Sequence, residues 1–155
     1  MSTETPTPLL YQIKRVELAI RKHLDAVLES HGLTTIQYTA LTSLARQPGM
    51  TVASLARHSF VAAQTMAQLV GTLADRGWIA RESDPGHGRR LLVVLTPEGR
   101  DLLADLSEPV AEVERRMVAG VTDEDLTVVR AALRSFGTSL ELPGRPAGYD
   151  RIDGR

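Results

Sequence analysis

The stretch from Thr51 to Thr96 limits the fold more than any other part of the chain. It reads TVASLARHSFVAAQTMAQLVGTLADRGWIARESDPGHGRRLLVVLT. Two short helical patterns come first, separated by a tight turn at His58-Ser59-Phe60. Two apolar strand-like runs follow, joined by a Gly/Pro turn that ends in two arginines. This is the element order of a helix-turn-helix with a β-hairpin wing attached.

The second helical pattern is the more informative. Met66, Leu69, Val70 and Leu73 fall at i, i+3, i+4 and i+7, one buried stripe. The opposite face carries Gln64, Thr65, Gln68 and Thr72, with no acidic residue and no long charged side chain. Solvated helix faces usually carry Lys, Glu, Asp or Arg. Uncharged amides and hydroxyls suit a helix in the DNA major groove, where Gln pairs with adenine edges and Thr offers a hydroxyl and a methyl. The same face also fits a merely polar surface.

The wing reads as Trp78 to Leu95. Gly77 suits the left-handed end of the preceding helix. Trp78 to Ser83 forms one strand, Asp84-Pro85-Gly86-His87-Gly88 the turn, and Leu91 to Leu95 the return strand. Arg89 and Arg90 follow the turn, with His87 beside them. Arginine at a hairpin tip suits a narrow minor groove or a phosphate. An ordinary hairpin with a surface Asp84–Arg89 ion pair has the same sequence, and Asp84 then positions Arg89.

These residues resemble the winged helix-turn-helix of the MarR family of bacterial transcription regulators. The resemblance rests on LADRGWIAR from Leu73 to Arg81, DPGHGRR from Asp84 to Arg90, and VVLTPEG from Val93 to Gly99. By helix order and length it extends over roughly Leu9 to Leu140. It implies a mainly α fold with a small β-hairpin wing, a winged helix-turn-helix joined to a helical dimerisation region. Two positions depart from the family pattern. Gln68 stands where members often carry Arg, which thins the charge on the recognition helix. His87-Gly88 stands where Asp-Arg is common, which leaves the wing's role to Arg89 and Arg90.

Composition narrows the options. There is no cysteine, which excludes disulfides, Cys-ligated metals and thiol-based sensing. No apolar run approaches the ~18 residues of a membrane span, and MSTETPTP lacks the basic flank and apolar core of a signal peptide. A cytoplasmic protein with no membrane partner is expected. The net charge of −1 looks wrong for a DNA binder, but its distribution does not. Residues 1–90 hold ten Lys/Arg and seven Asp/Glu (+3), and residues 91–155 hold eight and twelve (−4), which sum to −1. The positive part contains the helix-turn-helix and most of the wing.

In chain order, residues 1–8 read as a disordered lead and 141–155 as a flexible, Gly/Pro-rich tail. A helix from Leu9 to about Ser30 carries a broad apolar band from Leu10 and Ile13 to Leu28. Thr34-x-x-Gln37 has capping-box spacing and opens a helix whose Ile36, Leu41, Leu44 and Ala45 are expected inside. Thr51 caps the next helix, with Val52, Leu55 and Ala56 buried, and Thr51 and Arg57 are also candidate phosphate contacts. Thr96-Pro97-Glu98 is a strong helix start. The stripe Leu103, Leu106, Val110, Val113, Met117 follows, with Pro109 expected to bend it. Thr122 opens the last helix, with Leu126, Val129, Leu133, Phe136 and Leu140 in the same 3-4-3-4 spacing.

These stripes exceed what a small winged domain can cover. They fit a homodimer interface through Leu10, Ile13, Val113, Met117, Leu133, Phe136 and Leu140. The expected division is therefore 9–32 and 97–140 for dimerisation and 33–96 for DNA. Intrachain three-helix packing is the other explanation.

No catalytic constellation can be assembled. The four histidines lack metal spacing, and no P-loop, G-x-S-x-G or G-x-G-x-x-G occurs. No enzyme activity, cofactor or metal is expected. The expected partners are double-stranded DNA, a second copy, and a small-molecule effector of the aromatic or phenolic kind that the resemblance implies, relieving repression at pseudo-palindromic operators. By resemblance its pocket lies among the first helix, the second helix and the wing base, with Arg21, His23 and Tyr38 as candidates and Trp78 nearby. Each of these also reads as a plain surface or core-edge residue. The rival class is a winged-helix dimer that binds protein or ligand without DNA.

Overall fold

A computed structural model describes residues 7–140. The order is α1 (Leu9–Glu29), α2 (Thr35–Arg46), α3 (Val52–His58), α4 (Ala63–Asp75), β1 (Ile79–Asp84), β2 (His87–Leu95), α5 (Pro97–Val118) and α6 (Asp123–Ser139). The expected tail, 141–155, and most of the expected lead lie outside the described residues. Among those described, no helix is long and apolar enough to cross a membrane.

Threonine caps four of the six helices among the described residues. Thr34, Thr51, Thr96 and Thr122 each accept a backbone N–H from the first turn, and Thr34 completes a capping box with Gln37. Glycine marks three junctions: Gly32, Gly49 and Gly77 all have positive φ. Pro97 opens α5, and Pro109 sits within that helix, which runs on to Val118.

The core is one cluster. Leu41 and Leu44 of α2, Leu55 of α3, Met66, Val70 and Leu73 of α4, and Val93 of β2 are fully buried or nearly so. Leu28 from α1 and Leu102 and Leu106 from α5 belong to the same cluster. The inner ends of α1 and α5 are therefore built into the winged unit, across the boundaries drawn at 32/33 and 96/97.

Two expectations about α2 are corrected. Ile36 and Ala45 are exposed, and Ala40 and Ser43 are buried instead. Ser43 is tolerated inside because its hydroxyl donates to the Thr39 carbonyl at 2.8 Å. Val52 is half-buried rather than buried.

The hairpin is antiparallel, from Ile79 opposite Leu95 to Ser83 opposite Leu91. Met50 adds a single bridge to Val93, its carbonyl accepting the Val93 N–H at 2.7 Å. This tie between the α2–α3 connection and the wing went unread in the sequence. α6 has no buried residue.

Candidate nucleic-acid interface

α4 owes its position to its apolar side. Met66, Val70 and Leu73 are fully buried, which turns Gln64, Thr65, Gln68 and Thr72 to solvent. All four are exposed and uncharged. Thr72 donates back to the Gln68 carbonyl at 3.3 Å. The N-cap of α4 is Ala62, which supplies no side-chain hydrogen bond. The first-turn N–H groups of α4 therefore remain open to water or to an anion such as a phosphate.

The turn into α4 is sharp. Ser59 ends α3, and Phe60 takes φ 56 with 69 % of its surface exposed. Left-handed backbone at a non-glycine residue is uncommon. Thr51 is engaged as the α3 cap, accepting from Ser54 N–H at 3.2 Å, and Arg57 is exposed on the last turn of α3. His58 is tied to the Ser54 carbonyl at 2.8 Å.

At the wing tip the pairing slips. One step along β1, from Ser83 to Asp84, corresponds to four along β2, from Leu91 to His87, so Gly88, Arg89 and Arg90 have no partner on β1. The bulge carries both arginines out of the ladder, and both are exposed. The Asp84 carboxylate accepts the Gly86 N–H at 2.9 Å, which closes the turn. The Arg90 guanidinium and the His87 imidazole lie beside it, each at 3.7 Å. The expected Asp84–Arg89 pair is thus replaced by Asp84–Arg90, because the bulge shifts which arginine comes back toward β1.

A separate apolar cavity of about 1030 Å³ opens between α1, α2, the α3–α4 turn and α6. Ile13, Val16, Ile36, Phe60, Leu133 and Phe136 are among its walls. Arg21 lies on its rim, bound to Glu17 at 2.6 Å. Hydrogen bonds from Lys14 and then Arg21 hold the Glu17 carboxyl below its ordinary range.

Of the three effector candidates, only Arg21 borders this cavity. His23 is exposed, two residues and about 200° around α1 from Arg21. Tyr38 packs against the core, and the wing base does not contribute to the cavity.

A short helix pair, a helix with an uncharged outer face and an arginine-tipped hairpin together form a winged helix-turn-helix. The MarR family pattern matches residues 31–90. The HTH-type transcriptional repressor Rv2887 of Mycobacterium tuberculosis is 31 % identical over 138 residues, 89 % of this chain and 99 % of the relative. The chain belongs to the MarR family. A MarR family regulator from Silicibacter pomeroyi superposes with a TM-score of 0.81 at 26 % identity, covering 88 % of this chain and 94 % of that one. CouR from Rhodococcus jostii RHA1, bound to p-coumaroyl-CoA, gives 0.78 at 25 % identity, covering 87 % and 95 %. The chain is thus a MarR-family transcriptional regulator of the DNA-binding, winged-helix type.

Proposed function

We propose that this regulator acts as a homodimer that reads pseudo-palindromic duplex DNA, represses from it, and lets go when a small ligand binds. The observation that carries the DNA reading is the outer face of α4. Its four polar residues are uncharged and exposed, and the buried stripe behind them fixes the phase of the helix. In a major groove Gln64 and Gln68 suit adenine edges, and Thr65 and Thr72 suit thymine methyls or phosphates. Arg89 and Arg90, lifted by the bulge, suit the neighbouring minor groove or backbone, with His87 beside them. Arg57 and the open N-terminus of α4 suit phosphates, and Thr51 contributes there chiefly by capping α3.

The dimer reading draws on α6 and α1. No residue of α6 is fully buried within its own chain, and its apolar stripe stays largely open, with Leu133 52 % exposed and Leu140 71 %. The outer half of α1 is likewise apolar and exposed at Leu10 and Ile13, and Met117 near the end of α5 is exposed too. Val113 is half-buried on the same helix. A two-fold pair of chains covers both faces with one self-complementary contact. Two reading helices related in this way fit half-sites about one helical turn, ~34 Å, apart.

The ligand reading rests on the α1–α2–α6 cavity. CouR is seen with p-coumaroyl-CoA, and Rv2887 in complex with p-aminosalicylic acid. A ligand with an aromatic body suits the apolar walls here. An acidic group on it suits Arg21, because Glu17 keeps Lys14 as a partner at 2.9 Å.

Sedimentation equilibrium and duplex titration at rising salt test this together. The expected result is a dimer whose log binding constant falls linearly with log salt. A monomer, or a dimer with no salt-dependent duplex binding, contradicts it.

A further inference from the structure

Arg76 is the C-cap of α4, and although the residue is exposed its guanidinium is held against the protein rather than left free in water. Nη1 donates to the Gly32 carbonyl at 2.6 Å and Nη2 to the His31 carbonyl at 3.2 Å. Its guanidinium carbon lies 3.8 Å from the centre of the Trp78 ring. The two carbonyls belong to the turn that closes α1. That turn places Gly32 at φ +64, and a Cβ there would come within 3.0 Å of Nη2. Leu28 and Glu29 at the end of α1 already accept from the His31, Leu33 and Gly32 N–H groups, and the cationic fork supplies donors to the His31 and Gly32 carbonyls of the turn itself.

The same joint extends further. Gly77 follows with φ 76 and gives its carbonyl to the Thr96 hydroxyl at 2.7 Å. The Trp78 carbonyl accepts the Thr96 N–H at 3.1 Å. Residues 76–78 therefore bring together the end of α1, the end of α4, the start of the wing and the start of α5.

We propose that Arg76 is the positioning residue that sets the reading helix against α1, and through α1 against the second copy. It acts on the half-site spacing the protein accepts and touches no base. This rests on the dimeric DNA-binding reading above. Lysine is a poor substitute on this view, because it lacks the planar fork that donates twice while stacking on Trp78.

The test uses the full chain, wild type and Arg76→Ala and Arg76→Lys, on duplexes built from the inverted repeat that wild type selects. Spacing between half-sites is kept, or changed by one or two base pairs. In both variants, binding at the native spacing should fall about tenfold, the scale of one charge-assisted hydrogen bond. The preference over shifted spacings should flatten, with the salt slope unchanged. Equal loss at all spacings, a salt slope reduced by about one, and rescue by lysine would instead make Arg76 a phosphate contact and overturn the proposal.

A second measurement needs no DNA. Amide hydrogen exchange at residues 28–33 and 72–77 should quicken together in both variants while the rest of the core stays protected. Unchanged exchange overturns the proposal even where DNA binding fails for other reasons. If wild type selects no inverted repeat, the DNA reading falls, and the exchange result alone decides whether Arg76 couples the two helices.

Discussion

The carbonyl oxygen of Trp78 fills the space that a side chain on Gly99 would need: a Cβ at Gly99 would lie 2.1 Å from it and 2.8 Å from a Leu95 methyl. Gly99 is helical and needs no unusual backbone, so the constraint is space alone. It lets the first turn of α5 press against the start of the wing. Gly99→Ala should force that turn off the hairpin and destabilise the fold by about 1–3 kcal/mol or more. A urea unfolding curve checks this, and an unchanged midpoint would mean that the contact relaxes freely.

Thr96 does two jobs at the same junction. Its hydroxyl accepts the Gly99 N–H at 3.0 Å and donates to the Gly77 carbonyl at 2.7 Å. Thr96→Ala should cost about 1–2 kcal/mol through the lost cap and the stranded carbonyl. Thr96→Ser, which keeps the hydroxyl, should recover most of it in the same unfolding experiment.

The reading helix and the wing should fail in different ways. Gln68→Ala should cost about 1–3 kcal/mol on the preferred duplex and relax specificity at one position. Arg89→Ala should weaken binding to all sequences alike and lower the salt slope by about one. Competition titrations at two salt concentrations separate the two patterns.

A charge on α6 should split the dimer without unfolding the winged unit, because α6 buries no residue in its own chain. Leu133→Asp should sediment as a monomer, keep most of its helical signal, and lose at least tenfold in operator affinity as the second half-site contact goes. A dimer that persists would place the interface elsewhere.

Local chemistry made much of the fold legible. Threonine caps, the left-handed glycine at 77 and the apolar stripe of α4 are set by neighbours within a few residues, and the structure has them where the spacing puts them. α2 was misread because periodicity credits only apolar residues. Ser43 enters the core by satisfying its hydroxyl on the preceding turn, while Ile36 faces the cavity. The Asp84 partner was misread because a bulge shifts register, and nothing in DPGHGRR states its size. Arg76 was invisible for a third reason. It meets Gly32 across 44 residues of chain, and no local pattern encodes a contact that only tertiary packing brings about. His23 and Tyr38 lie at the right level along α1 and α2, but helix phase, which position in the sequence does not state, leaves His23 in solvent and puts Tyr38 against the core.

Selection from random DNA duplexes by the purified protein, with sequencing of what stays bound, tests the central claim most directly. A homodimer reading DNA through α4 and the wing should enrich an inverted repeat with half-sites about one helical turn apart. A well-folded dimer, refolded to remove any carried ligand, that enriches no sequence would contradict it.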